Sequence, residues 1–219
     1  MIYAENIFLC IMIPLAVTLF LTRGEVRKYI TAFLQGMSMC LLSAYVSGFL
    51  SYAGQLDSSD AAVFLSPVVE ELMKLFPLLV FSFFFAPKHS VLTMFAASLG
   101  AGFATFENCC YILTSGAGKL SYVMIRGMSV GVMHIVSIYA LALWLILAMR
   151  LKVLSFPVVI GGVSIATIFH ALYNLLVSGG RIASLIGYLM PVFMVTALYL
   201  LYPRILLLGA AQTGQDTHL

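Results

Sequence analysis

The sequence predicts an all-α integral membrane protein of about seven transmembrane helices. Three observations carry that expectation. Of 219 residues, 63% are hydrophobic and only 9% are charged. Mean hydropathy is +1.09. The apolar runs are long and continuous rather than alternating, so they read as helices and not as strands. A soluble domain carries about 25% charged residues, and a globule of this size still exposes much of its chain to water. The composition therefore excludes a cytosolic enzyme, a nucleic-acid binder, a secreted disulfide scaffold and a disordered chain. The net charge of +3 is too small to point to an acidic partner.

A spanning helix needs roughly 20 mostly apolar residues. Seven runs qualify, at about residues 3–22, 30–53, 62–86, 90–114, 121–149, 153–178 and 182–207. The first has no basic residues before it and is followed by Arg23, Arg27 and Lys28. It therefore reads as a retained span with its N-terminus outside, not as a cleaved leader. Alternating from there, Arg23, Arg27, Lys28, Lys88, Arg150, Lys152 and Arg204 fall inside. Lys119 and Arg181 fall outside, with Arg126 at or below the interface. That asymmetry predicts N-out, C-in by the positive-inside rule. Seven spans of roughly 23 residues use about 160 positions. What is left makes short loops and tails, so residues 1–219 are expected to form a single polytopic domain ending in a polar, disordered tail at about 209–219.

Ionisable residues inside spans carry the functional signal, because a central charge costs roughly 2.5–3.5 kcal/mol. The third span holds Glu70, Glu71 and Lys74, the fourth Glu107, the fifth His134 and the sixth His170. Lys74 is one turn from both Glu70 and Glu71 and can partner either. Glu107 and Tyr111 are four apart, and His170, Tyr173 and Asn174 share a face. At about 1.5 Å per residue, the third-span pair lies roughly 12–14 Å below the outer end, and Glu107 and His170 lie about 10–12 Å below it. His134 counts nearer 20 Å and joins that level only if its helix starts late or tilts. Polar groups from helices of opposite direction thus converge in the outer half of the bilayer. The catalytic bundle is expected to be helices 3–6.

Carboxylates and imidazoles at one level suit a divalent metal such as Zn2+. A spare Glu beside it can act as general base on a water. Each group also has a structural reading, an ion pair or a hydrogen-bonded core histidine, and convergence weighs against that reading. Cys10, Cys40, Cys109 and Cys110 sit in apolar runs without C-x-x-C spacing and read as buried hydrophobes. Gly100, Gly102 and Ala104 read as close helix contacts.

Taken together, Glu-Glu-x-x-Lys at 70–74, Gly-Phe-Ala-Thr-Phe-Glu-Asn-x-x-Tyr at 102–111, a mid-helix His134 and His-x-x-Tyr-Asn at 170–174 resemble the PrsW family. The family is related to the CAAX prenyl endopeptidases and Abi proteins. The resemblance implies a polytopic intramembrane protease of the bacterial plasma membrane. It would make the first, extracytoplasmic cut in a membrane-anchored substrate such as an anti-sigma factor. It further implies that Glu70, Glu71 and His170 are catalytic, and that Glu107 and His134 fill the remaining motif positions. The metal set is then expected to be Glu107, His134 and His170, with Lys74, Tyr111 and Asn174 auxiliary. The family has been classed as glutamic-type; its wider relatives favour a metal. Lys74 stands where the CAAX branch has Arg, which argues against a prenyl-protein substrate.

Other proteolytic chemistries fail on the residues. There is no His-Glu-x-x-His. Asp57, Asp60 and Asp216 lie in loops or the tail, so an aspartyl dyad is not available. Gly-Met-Ser-Val-Gly at 127–131 lies within a helix and not on a strand–turn–helix elbow. Two other classes remain open at this stage. Buried Glu, Lys and His also build proton relays in ion-coupled transporters, although no internal repeat accompanies them here. A non-catalytic scaffold of the same fold is the other.

Overall fold

Each long apolar run becomes one helix in the computed structural model, which describes residues 4–115 and 119–213. They are α1 (Ala4–Leu21), α2 (Gly24–Ala53), α3 (Ser66–Phe85), α4 (His89–Ser115), α5 (Leu120–Arg150), α6 (Phe156–Val177) and α7 (Arg181–Thr213). No strand occurs among the described residues. Six of these helices are long and apolar enough to cross a membrane. The remaining one, α3, is 20 residues long and carries Glu70, Glu71 and Lys74 within its first half. The tail expected to be disordered after Gly209 is helical as far as Thr213, and its remainder, with Asp216, lies outside the described residues.

The entry to α3 is irregular for a local reason. Asp57 caps a single turn, Ser58–Asp60, by accepting the Asp60 N–H at 2.7 Å. That bond holds the Asp57 carboxyl below its usual pKa. The chain then widens into a π-helical turn, Ala61–Leu65, in which the Ser66 N–H reaches back to the Ala61 carbonyl. Pro67 follows, and it has no N–H to give to an ordinary helical turn. The wide turn and the proline together swing Glu70 and Glu71 into the bundle from near the helix start.

The packing is arranged around α4 and α5. Leu92, Leu99, Ile138, Leu141, Ala142 and Ile146 form a fully buried seam with Leu78 of α3. Helices α2 and α4 touch backbone to backbone. A Cβ on Gly102 would lie 1.9 Å from the Phe33 carbonyl oxygen, and one on Gly36 would lie 2.0 Å from that of Leu99. Only glycine permits this approach, as expected of small residues between membrane helices. Helix α1 buries none of its residues and rests on the flank, with Phe8 edge-on to Phe106. The outward surface is rich in large apolar side chains such as Phe20, Phe84 and Tyr199. Meanwhile Glu71, Lys74 and His134 are 0% exposed and His170 2%. A helix bundle that buries charges at its centre and turns large apolar side chains outward is adapted to lipid. All four cysteines are free thiols.

Candidate active site

Four helices contribute to one polar cluster inside this apolar bundle. Glu71 on α3 is its hub. Its Oε1 accepts from Lys74 Nζ at 2.6 Å and from His170 Nδ1 at 2.9 Å. Its Oε2 accepts from Ser137 Oγ at 2.7 Å. A buried ion pair is tolerated only when its remaining lone pairs are also satisfied, and Ser137 and His170 supply that here.

From Lys74 the network continues to α5. Lys74 Nζ lies 3.2 Å from His134 Nδ1. An ammonium can only donate, so Nδ1 accepts and the ring proton sits on Nε2, where it faces Glu107 Oε2. Arg126 then donates to Glu107 Oε1 at 3.3 Å. The Phe103 ring closes one side, 4.8 Å from the His134 ring and 5.0 Å from Lys74 Nζ. The two imidazoles meet edge to face with centroids 5.0 Å apart. His134 thus reaches the common level although its helix starts at Leu120 as expected. A 31-residue helix is about 46 Å long, more than the roughly 30 Å apolar thickness, so counting down from its first residue overstates the depth.

His170 donates through Nδ1 to a carboxylate, which leaves the Nε2 lone pair free. That atom lies 3.7 Å from Glu70 Oε2. Glu70 Oε2 is itself buried and has no hydrogen-bond partner. One ligand atom from each of Glu70, His134 and His170 falls within 4.8 Å of the other two. The structure therefore gathers Glu70 with the two histidines, while Glu107 stands behind His134 with its second oxygen on Arg126.

This geometry fits a cation on two counts. Ligands bound to one Zn2+ at about 2.0–2.2 Å with tetrahedral angles stand about 3.3–3.6 Å apart, close to the Glu70–His170 spacing. Among the three carboxylates, Glu71 is paired with Lys74 and Glu107 with Arg126. Among the described residues Glu70 has no ion-pair contact except with His170, and its buried oxygen is left for a further partner.

The auxiliary residues divide. Lys74 is central. Asn174 donates from Nδ2 to the Ala62 carbonyl at 3.0 Å and so ties α6 to the π-helical turn. Tyr111 pairs through its hydroxyl with Tyr122 at 2.7 Å, toward the α4–α5 loop. Ser137 escaped the sequence reading, although it follows His134 by one turn, and an uncommitted hydroxyl on a charged face is a usable signal. Ser129, the centre of the Gly-x-Ser-x-Gly string, lies in α5 and pairs with the Tyr173 hydroxyl at 2.9 Å, away from any nucleophile geometry.

A sequence profile described as PrsW family intramembrane metalloprotease matches residues 25–201. The chain belongs to the PrsW family. It is accordingly an intramembrane peptidase, a hydrolase, and the family's metalloprotease character implies a divalent metal. Every residue of the polar cluster lies within the matched range, whereas α1 lies outside it. A PrsW peptidase of several apolar helices is a multi-pass membrane protein acting on a membrane-embedded protein substrate. No curated protein matches the chain. No solved structure matches it either.

Proposed function

We propose that this protease makes the first, extracytoplasmic-side cut in a membrane-anchored protein such as an anti-sigma factor, in a bacterial plasma membrane. All seven long helices cross the bilayer in this reading, N-out and C-in. Helix α3 is included because its Glu71 and Lys74 neutralise each other with no exposure at all. The observation that carries the chemistry is the partnerless Glu70 Oε2 beside the free Nε2 of His170.

Glu70 and His170 would hold the divalent metal, joined by His134 once a ring nitrogen is released from its contact with Lys74 or Glu107, and Zn2+ suits one carboxylate and two imidazoles. When bound, the metal polarises the scissile carbonyl and makes water acidic enough to attack at neutral pH. Glu71 does not touch the reacting atoms. It fixes the His170 tautomer and aims Nε2, as outer carboxylates do for metal-binding histidines. Glu107 is the cluster's more open carboxylate, with 30% of its side chain exposed. It takes the proton of the attacking water and returns it to the leaving amine. Arg126 holds the other oxygen of Glu107 in place for that task. Water reaches this depth only through a protein-lined cavity, opening on the side of the α2–α3 and α4–α5 loops.

The test is cleavage of a tagged single-span substrate by purified protein. Activity lost to a chelator and regained with Zn2+ supports the reading. Full activity without stoichiometric metal would favour a purely glutamic mechanism.

A further inference from the structure

Buried polar atoms are almost always hydrogen-bonded, so exceptions point to something missing. Two such exceptions occur together beside the active site. Arg126 Nε is a buried donor without a partner, and Asn108 Oδ1 is a buried acceptor without one. Both residues line a single cavity between α4 and α5, with Tyr111, Tyr122, Val123 and Gly127.

The cavity lies between the loop end of these helices and the cluster itself. The Arg126 guanidinium is stacked 3.4 Å from the Tyr111 ring centroid and donates with another nitrogen to Glu107. It is therefore held in place with Nε–H left over. One held donor and one buried acceptor, beside the carboxylate assigned to the water, match the two groups of a peptide bond. A side-chain-specific pocket would offer groups matched to one residue type. This pair reads only main chain, which every substrate has once its helix is unwound into an extended strand.

We propose that Arg126 and Asn108 form a backbone-binding subsite for the extended substrate strand. Arg126 Nε–H donates to a peptide carbonyl, and Asn108 Oδ1 accepts from a peptide N–H. The proposal rests on the proteolytic reading above and assigns positioning residues within it. It makes recognition tolerant of sequence and dependent on an unfolded juxtamembrane segment.

The experiment measures binding by full-length Glu70→Gln protein in nanodiscs, where cleavage is silenced. The probe is a synthetic single-span peptide with a ten-residue extended Ala/Val/Ser segment at its outer end. Analogues replace individual amides of that segment by esters, which removes one N–H at a time. Asn108→Leu and Arg126→Lys are each expected to raise the Kd about 5-fold or more, as for one lost hydrogen bond. One ester position should weaken binding equally in the Glu70→Gln protein and cost nothing further when Asn108 is already Leu. A purely structural role would not produce that coupling. An unchanged Kd in both variants, or no sensitive ester position in the Glu70→Gln protein, overturns the subsite and leaves the protease reading standing. Should Asn108→Leu not fold, the ester series alone decides. No binding of the parent peptide at all overturns the substrate reading along with the subsite.

Discussion

Glu71 and His170, 99 residues apart in the chain, share a buried hydrogen bond of 2.9 Å between Oε1 and Nδ1. The same oxygen holds Lys74 at 2.6 Å. One carboxylate thus sets the orientation of a histidine and neutralises a lysine. Removing its charge should affect catalysis and folding by separable routes.

Glu71→Ala leaves Lys74 buried and unpaired, and is expected to cost about 3–5 kcal/mol. Glu71→Gln keeps an acceptor for His170 and Lys74 but not the charge, so it should lose less stability than Glu71→Ala, together with about 100-fold in activity. The double change Glu71→Gln with Lys74→Met should recover stability without recovering activity. Thermal unfolding in detergent and cleavage of a tagged substrate check the two arms. Parallel recovery of both would mean that Glu71 is purely structural.

Metal content should sort the acidic residues. Glu70→Gln and His170→Ala are each expected to lower bound Zn2+ well below one per chain by elemental analysis. Glu107→Gln should keep the metal and lose about 10²–10⁴-fold in turnover, the usual contribution of a general base. Metal loss in Glu107→Gln together with retention in Glu70→Gln would exchange the two roles.

Ser137 donates to the oxygen of Glu71 that neither Lys74 nor His170 uses. Ser137→Ala should reduce activity or metal affinity about 10-fold, the lower end for outer-shell partners. Ser137→Thr retains the hydroxyl and should recover most of it. Wild-type turnover in Ser137→Ala would show that Glu71 is held adequately by two partners.

Gly102→Leu places side-chain atoms where the Phe33 carbonyl oxygen already lies, 1.9 Å from any Cβ. The α2–α4 contact cannot yield without moving Glu107, which follows on the same helix. A loss of folded protein is expected on size-exclusion chromatography, far beyond the effect of Gly48→Leu, whose Cβ meets nothing within 4 Å. Equal yields would remove the close-contact argument.

Orientation is checked by single-cysteine labelling on intact cells. An impermeant thiol reagent should label Ser58→Cys and leave Lys88→Cys and Lys152→Cys at the background of the unsubstituted protein. All three positions are exposed. The opposite pattern would place the site in the cytoplasmic half and end the anti-sigma-type reading.

What the sequence determined by itself was everything that depends on composition and one-dimensional spacing. Seven apolar runs emerge as seven helices within a few residues at most boundaries, because a span must satisfy its own backbone in lipid. The start of α2 moved to Gly24, since Arg27 and Lys28 stay helical at the exposed end, and the end of α7 moved to Thr213. Glu70, Glu71, Lys74, Glu107, His134 and His170 stood out because ionisable groups in apolar runs are costly. Which of them touch was decided by the tertiary structure alone. Adjacent residues on a helix point about 100° apart, so the sequence could not say that Glu71 would take the lysine and Glu70 the place beside His170 Nε2. Nor could it bring Ser137 to Glu71, 66 residues away. Those outcomes follow from the wide turn before Pro67, the glycine contact of α2 with α4 and the length of α5, which together set how far each helix is rotated and sunk in the bundle.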